Sequence, residues 1–300
     1  MQLTLTGASG FLGNRLVARL LESGHRLRIL GRHKPATLAE GVSFYHWDVL
    51  QGPPPPEALE AAEAVIHFAG EPVAQRWSPQ AKERIRKSRI DGTHALIHGI
   101  GRLSRKPKAF IGASAIGYYG DRGEEILTET SAAGSGFLAD ICVAWEQAEQ
   151  KAQSIGLEVT RLRLGVVLGP NGGALGKMLL PFRLGIGGPI GNGRQWMSWV
   201  HVEDVVGMIE FLLAQPAGSG VFNVTSPSPV RNAGFAKALG QALHRPAFLP
   251  VPVRVLKLLY GEMADMVIAS QRVEPMAAQR AGYRFRFHDV KSALDDLLAG

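Results

Sequence analysis

One cysteine, Cys142, stands in 300 residues, so no disulfide forms within the chain and its stability does not rely on oxidation. Long apolar runs are also missing. The longest apolar stretches, such as 251–269, are interrupted by Arg254, Lys257, Glu262 and Asp265, which excludes a membrane-spanning helix, and no membrane partner is expected. No patch interleaves aromatic with basic residues, so the net charge of +7 and pI near 9.7 do not read as a nucleic-acid surface. A scattered positive charge that attracts a phosphorylated ligand is enough. The first residues enter a strand without a basic stretch, apolar segment or cleavage site, so no secretory signal and a cytoplasmic location are expected. No internal repeat or low-complexity tract appears, and no metal site is expected.

What is present is the turn Thr6-Gly7-Ala8-Ser9-Gly10-Phe11-Leu12-Gly13. A short apolar strand around Leu3 and Leu5 precedes it, and a helix-period pattern of Phe11, Leu12, Leu16, Val17, Leu20 and Leu21 follows and stops at Gly24. In that context Gly7 allows the tight turn, Gly10 lets a pyrophosphate approach the backbone, and Gly13 lets the helix pack closely on the strand. Unpaired N–H groups at the helix start, those of Phe11 and Leu12, face the phosphates. The second strand, Leu27 to Leu30, ends in Gly31-Arg32-His33-Lys34, where an NAD site carries an acidic residue. With no carboxylate to repel a 2′-phosphate and Arg32 able to fork onto one, the expected cofactor is NADP(H); a solvated basic loop is the plainer alternative.

Further strands are read at Val42 to Tyr45, Ala64 to Phe68, Lys108 to Ala113, Val159 to Leu164 and Val221 to Val224, with helices at Ser78 to His98 and Phe137 to Ile155. Strands alternating with helices give an α/β fold, a Rossmann-type doubly wound parallel sheet with ligands at its C-terminal edge and a smaller C-terminal substrate or cap region. Asp48 either touches the adenine or caps a turn. The small residues of Phe68-Ala69-Gly70 leave room for the cofactor's ribose and pyrophosphate. Residues 1–170 form the cofactor domain, to which 196–225 return, 171–195 form a glycine-rich cleft loop, and 226–300 form the cap, its last 50 residues read as helical and ending in Tyr283-Arg284-Phe285-Arg286-Phe287. Arg183, Arg194 and Trp196 are expected to meet a small-molecule substrate along that loop. In the cap, Val251, Val255, Leu258, Leu259, Met263 and Met266 recur at helical spacing. Packing on the protein's own core is the expectation, with covering the cleft or pairing subunits into an oligomer as alternatives.

Thr6 to Gly13, His67-Phe68-Ala69-Gly70, Tyr119-Gly120, Arg163 to Pro170 and His201-Val202-Glu203-Asp204-Val205 resemble the extended short-chain dehydrogenase/reductases, which include nucleotide-sugar epimerases. More narrowly, Ser88 to Thr93, Ser114 to Gly120, Phe137-Leu138-Ala139, Trp145-Glu146, Lys177 to Trp199, Gly261 to Ala264 and Ser270 to Val273 resemble an atypical epimerase-like family across the whole chain. The resemblance implies an NADP-dependent oxidoreductase or epimerase-like protein and adds Val167 and Arg89 to the cofactor contacts, Arg89 with a surface ion pair as its alternative. It also exposes a departure. Superfamily members use Tyr-x-x-x-Lys, the tyrosine acting as acid or base and the lysine lowering its pKa. Alignment on Glu146 puts Leu138 and Cys142 in those places. Ser114 and Tyr118 are then the catalytic candidates at the nicotinamide end, Tyr118 with edge packing as its alternative. A non-catalytic NADPH-binding sensor or regulatory module is the second reading.

Overall fold

In the computed structural model, which describes residues 1–170, 172–215 and 219–299, seven strands form one parallel sheet. The strands of the chain are β1 (Gln2–Thr6), β2 (Arg26–Gly31), β3 (Val42–His46), β4 (Ala64–His67), β5 (Ala109–Ala115), β6 (Ile126–Leu127), β7 (Glu158–Leu164), β8 (Val166–Gly169), β9 (Trp196–Met197), β10 (Trp199–His201), β11 (Gly220–Val224), β12 (Val230–Arg231) and β13 (Arg272–Val273). The sheet order is β11-β7-β5-β4-β1-β2-β3, and short pairs form between β8 and β10, β9 and β12, and β6 and β13. The helices are α1 (Phe11–Glu22), α2 (Pro79–Gly101), α3 (Phe137–Ser154), α4 (Gly173–Arg183), α5 (Val202–Ala214), α6 (Asn232–Ala242), α7 (Val253–Tyr260), α8 (Met263–Ile268), α9 (Met276–Arg280) and α10 (Val290–Leu298).

The expected doubly wound architecture is therefore present. β4 is buried at all four positions, as a parallel strand covered on both faces must be. Leu3, Leu5, Leu16, Leu20, Val205 and Ile209 pack α1 and α5 on one face, while Val65, Leu96, Ile100, Phe110, Ala152 and Val159 pack α2 and α3 on the other. After β3 the chain crosses to the far side of β1 to form β4, so the order reverses between β1 and β4 and a crevice opens at their C-terminal ends.

Three stretches differ from the sequence reading. The first half of the glycine-rich segment, whose opening Asn171 lies outside the described residues, is helix α4, because Leu175, Leu179 and Phe182 recur at helical spacing and are buried. Beyond Phe287 the cap continues into α10, where Val290, Ala293, Leu294 and Leu297 are buried against the elements around Phe235; Gly300 lies outside the described residues. Helix α7, expected to pack on the core, has no buried residue at all.

Candidate functional site

At the crevice each glycine of the turn has a separate steric reason. Gly7 holds φ +75°, and a Cβ there would lie 2.6 Å from the Phe68 carbonyl carbon and 2.8 Å from the Ala69 nitrogen. A Cβ on Gly13 would overlap the backbone of Gly7, so α1 can approach β1 only with glycine there. Gly10 differs, since its Cβ would meet only the Gly7 carbonyl oxygen at 3.3 Å. The space beside it is open on the side a ligand would enter. Gly10 caps α1 without a side-chain hydrogen bond, which leaves the N–H groups of the first turn, Phe11 and Leu12 among them, aimed at the crevice.

The facing edge is fixed by a buried histidine. Thr6 Oγ1 accepts from the Phe68 and Ala69 N–H groups, each at 3.1 Å, so its own proton goes to His67 Nδ1 at 2.7 Å. His67 Nε2 then donates to Thr93 Oγ1 at 3.1 Å. Burial, and after it the Arg89 charge, pushes the imidazole down to about 3, so it stays neutral. Arg89 itself lies against Gly70, where a Cβ would stand 3.2 Å from its Cζ, and donates to the Glu71 and Ile85 carbonyls at 2.9 and 3.2 Å. Its guanidinium lies 5.1 Å over the Trp145 ring, burial lowers its pKa, and no carboxylate pairs with it among the described residues. The structure thus brings Arg89 to the Phe68–Gly70 edge.

Arg32 is exposed after β2, and only its carbonyl is engaged, accepting from His46 Nδ1 at 3.1 Å. No carboxylate pairs with Arg32, His33 or Lys34 among the described residues. Asp48 accepts from the Leu50 N–H at 3.0 Å, the turn-capping alternative. The Phe11 ring sits where side chains on Gly169, Gly172 and Gly173 would stand, so the glycines at and after the end of β8 receive Phe11, and Val167 of β8 packs with Leu12 against one core cluster.

At the end of β5 a buried ionic network fills the space that Tyr-x-x-x-Lys would govern. A Cβ on Gly117 would lie 3.4 Å from Leu138 Cβ and 3.8 Å from Cys142 Sγ, so both helix positions face this turn. Neither supplies a proton, for burial and then the Glu146 charge push the Cys142 thiol up to about 12. Ser114 is 2% exposed and its hydroxyl donates to Glu146 Oε1 at 2.6 Å. Arg163 grips the same carboxylate with two bonds of 2.8 Å and donates to the Tyr119 hydroxyl at 2.9 Å. Tyr119 in turn donates to Asn223 Oδ1 at 2.7 Å. Burial opposes the Arg163 charge, but Glu146 more than offsets this and raises its pKa. The Arg163 Cζ stands 3.4 Å from the Tyr118 ring centroid. Tyr118 is half-buried, and its hydroxyl is unengaged among the described residues.

Sequence reasoning missed Glu146, Arg163 and Asn223 as parts of a site. The available signal was Arg161-Leu162-Arg163-Leu164, two charges set in a segment read as a strand of the parallel sheet. In a strand flanked by β5 and β11 and covered by helices, such charges must be paired or stay orphaned. Arg161 Nε and the Glu149 carboxylate, packed on Gly112, are in fact buried without partners.

Of the expected substrate residues, Trp196 stands on β9 with Arg231 and Arg272 over its ring at 4.5 and 4.7 Å, and donates to Glu124 at 2.8 Å. Arg194 is exposed two residues earlier and gives its carbonyl to Arg231. Arg183, at the end of α4, is joined to neither; its carbonyl accepts from Arg245 at 3.1 Å. Gln271 ties the cap to the turn after β5 by donating to the Ile116 and Gly120 carbonyls, each at 3.0 Å. The His201–Val205 stretch holds the cap as well. Asp204 accepts from the Arg286 and Phe287 N–H groups at 2.6 and 3.1 Å, and the His201 ring stacks 3.9 Å from Phe287.

Comparison with known proteins agrees with this geometry. Residues 3–225 match the NAD dependent epimerase/dehydratase family, and residues 251–297 match a domain of unknown function, DUF1731. The chain is 38% identical over 303 residues to the chloroplastic epimerase family protein SDR39U1 homolog of Arabidopsis thaliana, covering 98% of this chain and 86% of that one. It is 37% identical over 300 residues to the epimerase family protein YfhF of Bacillus subtilis, covering 100% and 98%. The crystal structure of the human epimerase family protein SDR39U1 with NADPH superposes with a TM-score of 0.88 at 32% identity, covering 100% of this chain and 99% of that one. A Rossmann-type sheet with the glycine turn at its switch point, joined to this C-terminal domain, makes the chain a member of the NAD dependent epimerase/dehydratase family.

Proposed function

We propose that the chain is an NADP(H)-binding, epimerase-like oxidoreductase acting on a small molecule in the cytoplasm, without the usual Tyr-x-x-x-Lys pair. One observation carries the reading. The turn at the switch point keeps open space beside Gly10, while Arg32 at the end of β2 is unpaired where an NAD site carries a carboxylate. The human relative of known structure was solved with NADPH, which supports the phosphate-bearing form. Gly7, Gly10 and Gly13 with the Phe11 and Leu12 amides receive the pyrophosphate, and Arg32 forks onto the 2′-phosphate. Phe68, Ala69, Gly70 and Val167 border the rest of the cofactor, and Arg89 offers its unpaired charge to a phosphate. The bound nicotinamide supplies hydride chemistry.

The chain's part is proton transfer and orientation. Tyr118 is the acid or base, its ring held by Arg163 and its hydroxyl free to meet a substrate. Ser114 serves at one remove, its proton committed to Glu146, and holds the network that fixes Arg163. Trp196 and Arg194 meet the substrate, with Arg183 at the outer rim. A second reading, an NADPH-binding sensor without turnover, is favoured by one observation: Leu138 and Cys142, which face Gly117 in the turn after β5, supply no proton.

The test follows NADPH absorbance while nucleotide sugars, sugars, aldehydes and ketones are offered. Oxidation by any of them, reduced at least about 100-fold in Tyr118→Phe, supports the enzyme. Tight NADPH binding with no turnover across the panel supports the sensor.

A further inference from the structure

The large apolar side chains left at the surface are concentrated on one face. Leu258 and Phe248 are 76% and 73% exposed, Leu180 and Leu184 67% and 65%, and Ile186 and Leu259 more than half. These segments adjoin. Arg245 donates to the Arg183 carbonyl at 3.1 Å, the Val251 N–H donates to the Pro189 carbonyl at 2.8 Å, and α7 begins two residues later. Apolar surface of this extent marks an interaction site.

The charge of the face identifies its partner. Its two carboxylates are already neutralised, Glu262 by Lys82 and Asp265 by Lys257 at 3.0 Å. Arg245, Arg254 and Lys237 have no carboxylate partner among the described residues. Beside Phe248, an open groove of about 470 Å³ is lined by Lys237, His244 and Arg245. A second copy of this chain would set like charge against like, which disfavours self-pairing. Exposed apolar tips among unpaired cations match the boundary between anionic headgroups and acyl chains.

We propose that this face docks on an anionic lipid surface. Phe248, Leu258 and Leu259, with the tips at the end of α4, enter the acyl boundary, and Lys237, Arg245 and Arg254 meet lipid phosphates. Among the described residues no helix is long and apolar enough to cross a bilayer, so the contact is peripheral, with α7 in the interface; it departs from the expectation of no membrane partner, which rested on the lack of long apolar runs.

Flotation of the full chain with vesicles tests this, using phosphatidylcholine alone and phosphatidylcholine with phosphatidylglycerol. The expected result is binding to the phosphatidylglycerol vesicles only, weakened by added salt. Phe248→Ser with Leu258→Ser should lower the partition coefficient at least about tenfold, and Arg254→Glu at least about fivefold, with thermal stability and NADPH binding unchanged. Failure to float with either vesicle overturns the proposal. So does flotation that these variants leave unchanged, since binding then lies elsewhere. A concentration-dependent dimer abolished by the same serine substitutions also overturns it, for the face then belongs to a second copy.

Discussion

The glycine turn separates folding from binding at two positions three residues apart. A methyl group on Gly13 collides with Gly7 backbone that cannot move away. Gly13→Ala should cost about 1–3 kcal/mol of stability or more, read as a lower midpoint in urea unfolding. Gly10→Ala meets one oxygen at 3.3 Å and should change stability by less than about 1 kcal/mol. It should still weaken NADPH at least about tenfold, because the methyl occupies the space through which a pyrophosphate approaches. Equal effects of the two substitutions on stability would contradict this division. The Glu146 carboxylate is a different case, since Arg163 and Ser114 both depend on it. Glu146→Gln leaves a buried guanidinium uncompensated and should cost about 3–5 kcal/mol in the same measurement.

At the scale of elements, Asp204 is the first residue to test. Its carboxylate receives two N–H groups of the segment leading into α10, so Asp204→Ala leaves both without an acceptor. Amide hydrogen exchange should rise across residues 283–298 while β1, β4 and β5 keep their protection. Exchange that rises everywhere would mean that the cap is not separately held. Much of this level was legible in the sequence. β1, α1, β4, α2 and α3 stand within a residue or a few of where apolar periodicity and glycine stops put them, and the turn stands at the switch point. Three features were not legible, each because a neighbour decides it. Phe11 gives the glycines after β8 their purpose across 158 to 162 positions of sequence, a pairing no local pattern records. The pairing of Arg163 on β7 is hidden because α3 brings Glu146 to it only in three dimensions. The stripe on α7 has the spacing of a core helix, and spacing does not say whether a core lies opposite.

For the whole molecule, His67 links stability to pH. Its folded value is about 3 against an ordinary 6.5, so below pH 6.5 the unfolded chain takes up a proton that the folded chain refuses. The stability is complete above pH 6.5 and declines by up to about 1.4 kcal/mol per pH unit as pH falls toward 3. A His67→Gln variant should show a shallower decline over that range in urea midpoints, whatever its stability at neutral pH. A titration of NADPH and NADH into the apo protein, repeated with Arg32→Ala, tests whether Arg32 selects the phosphate-bearing cofactor. NADPH should bind at least about tenfold more tightly than NADH, and the substitution should remove most of that difference while changing NADH little. Equal affinity for the two cofactors in the unaltered chain, or an equal loss of both in Arg32→Ala, would mean that Arg32 binds no 2′-phosphate.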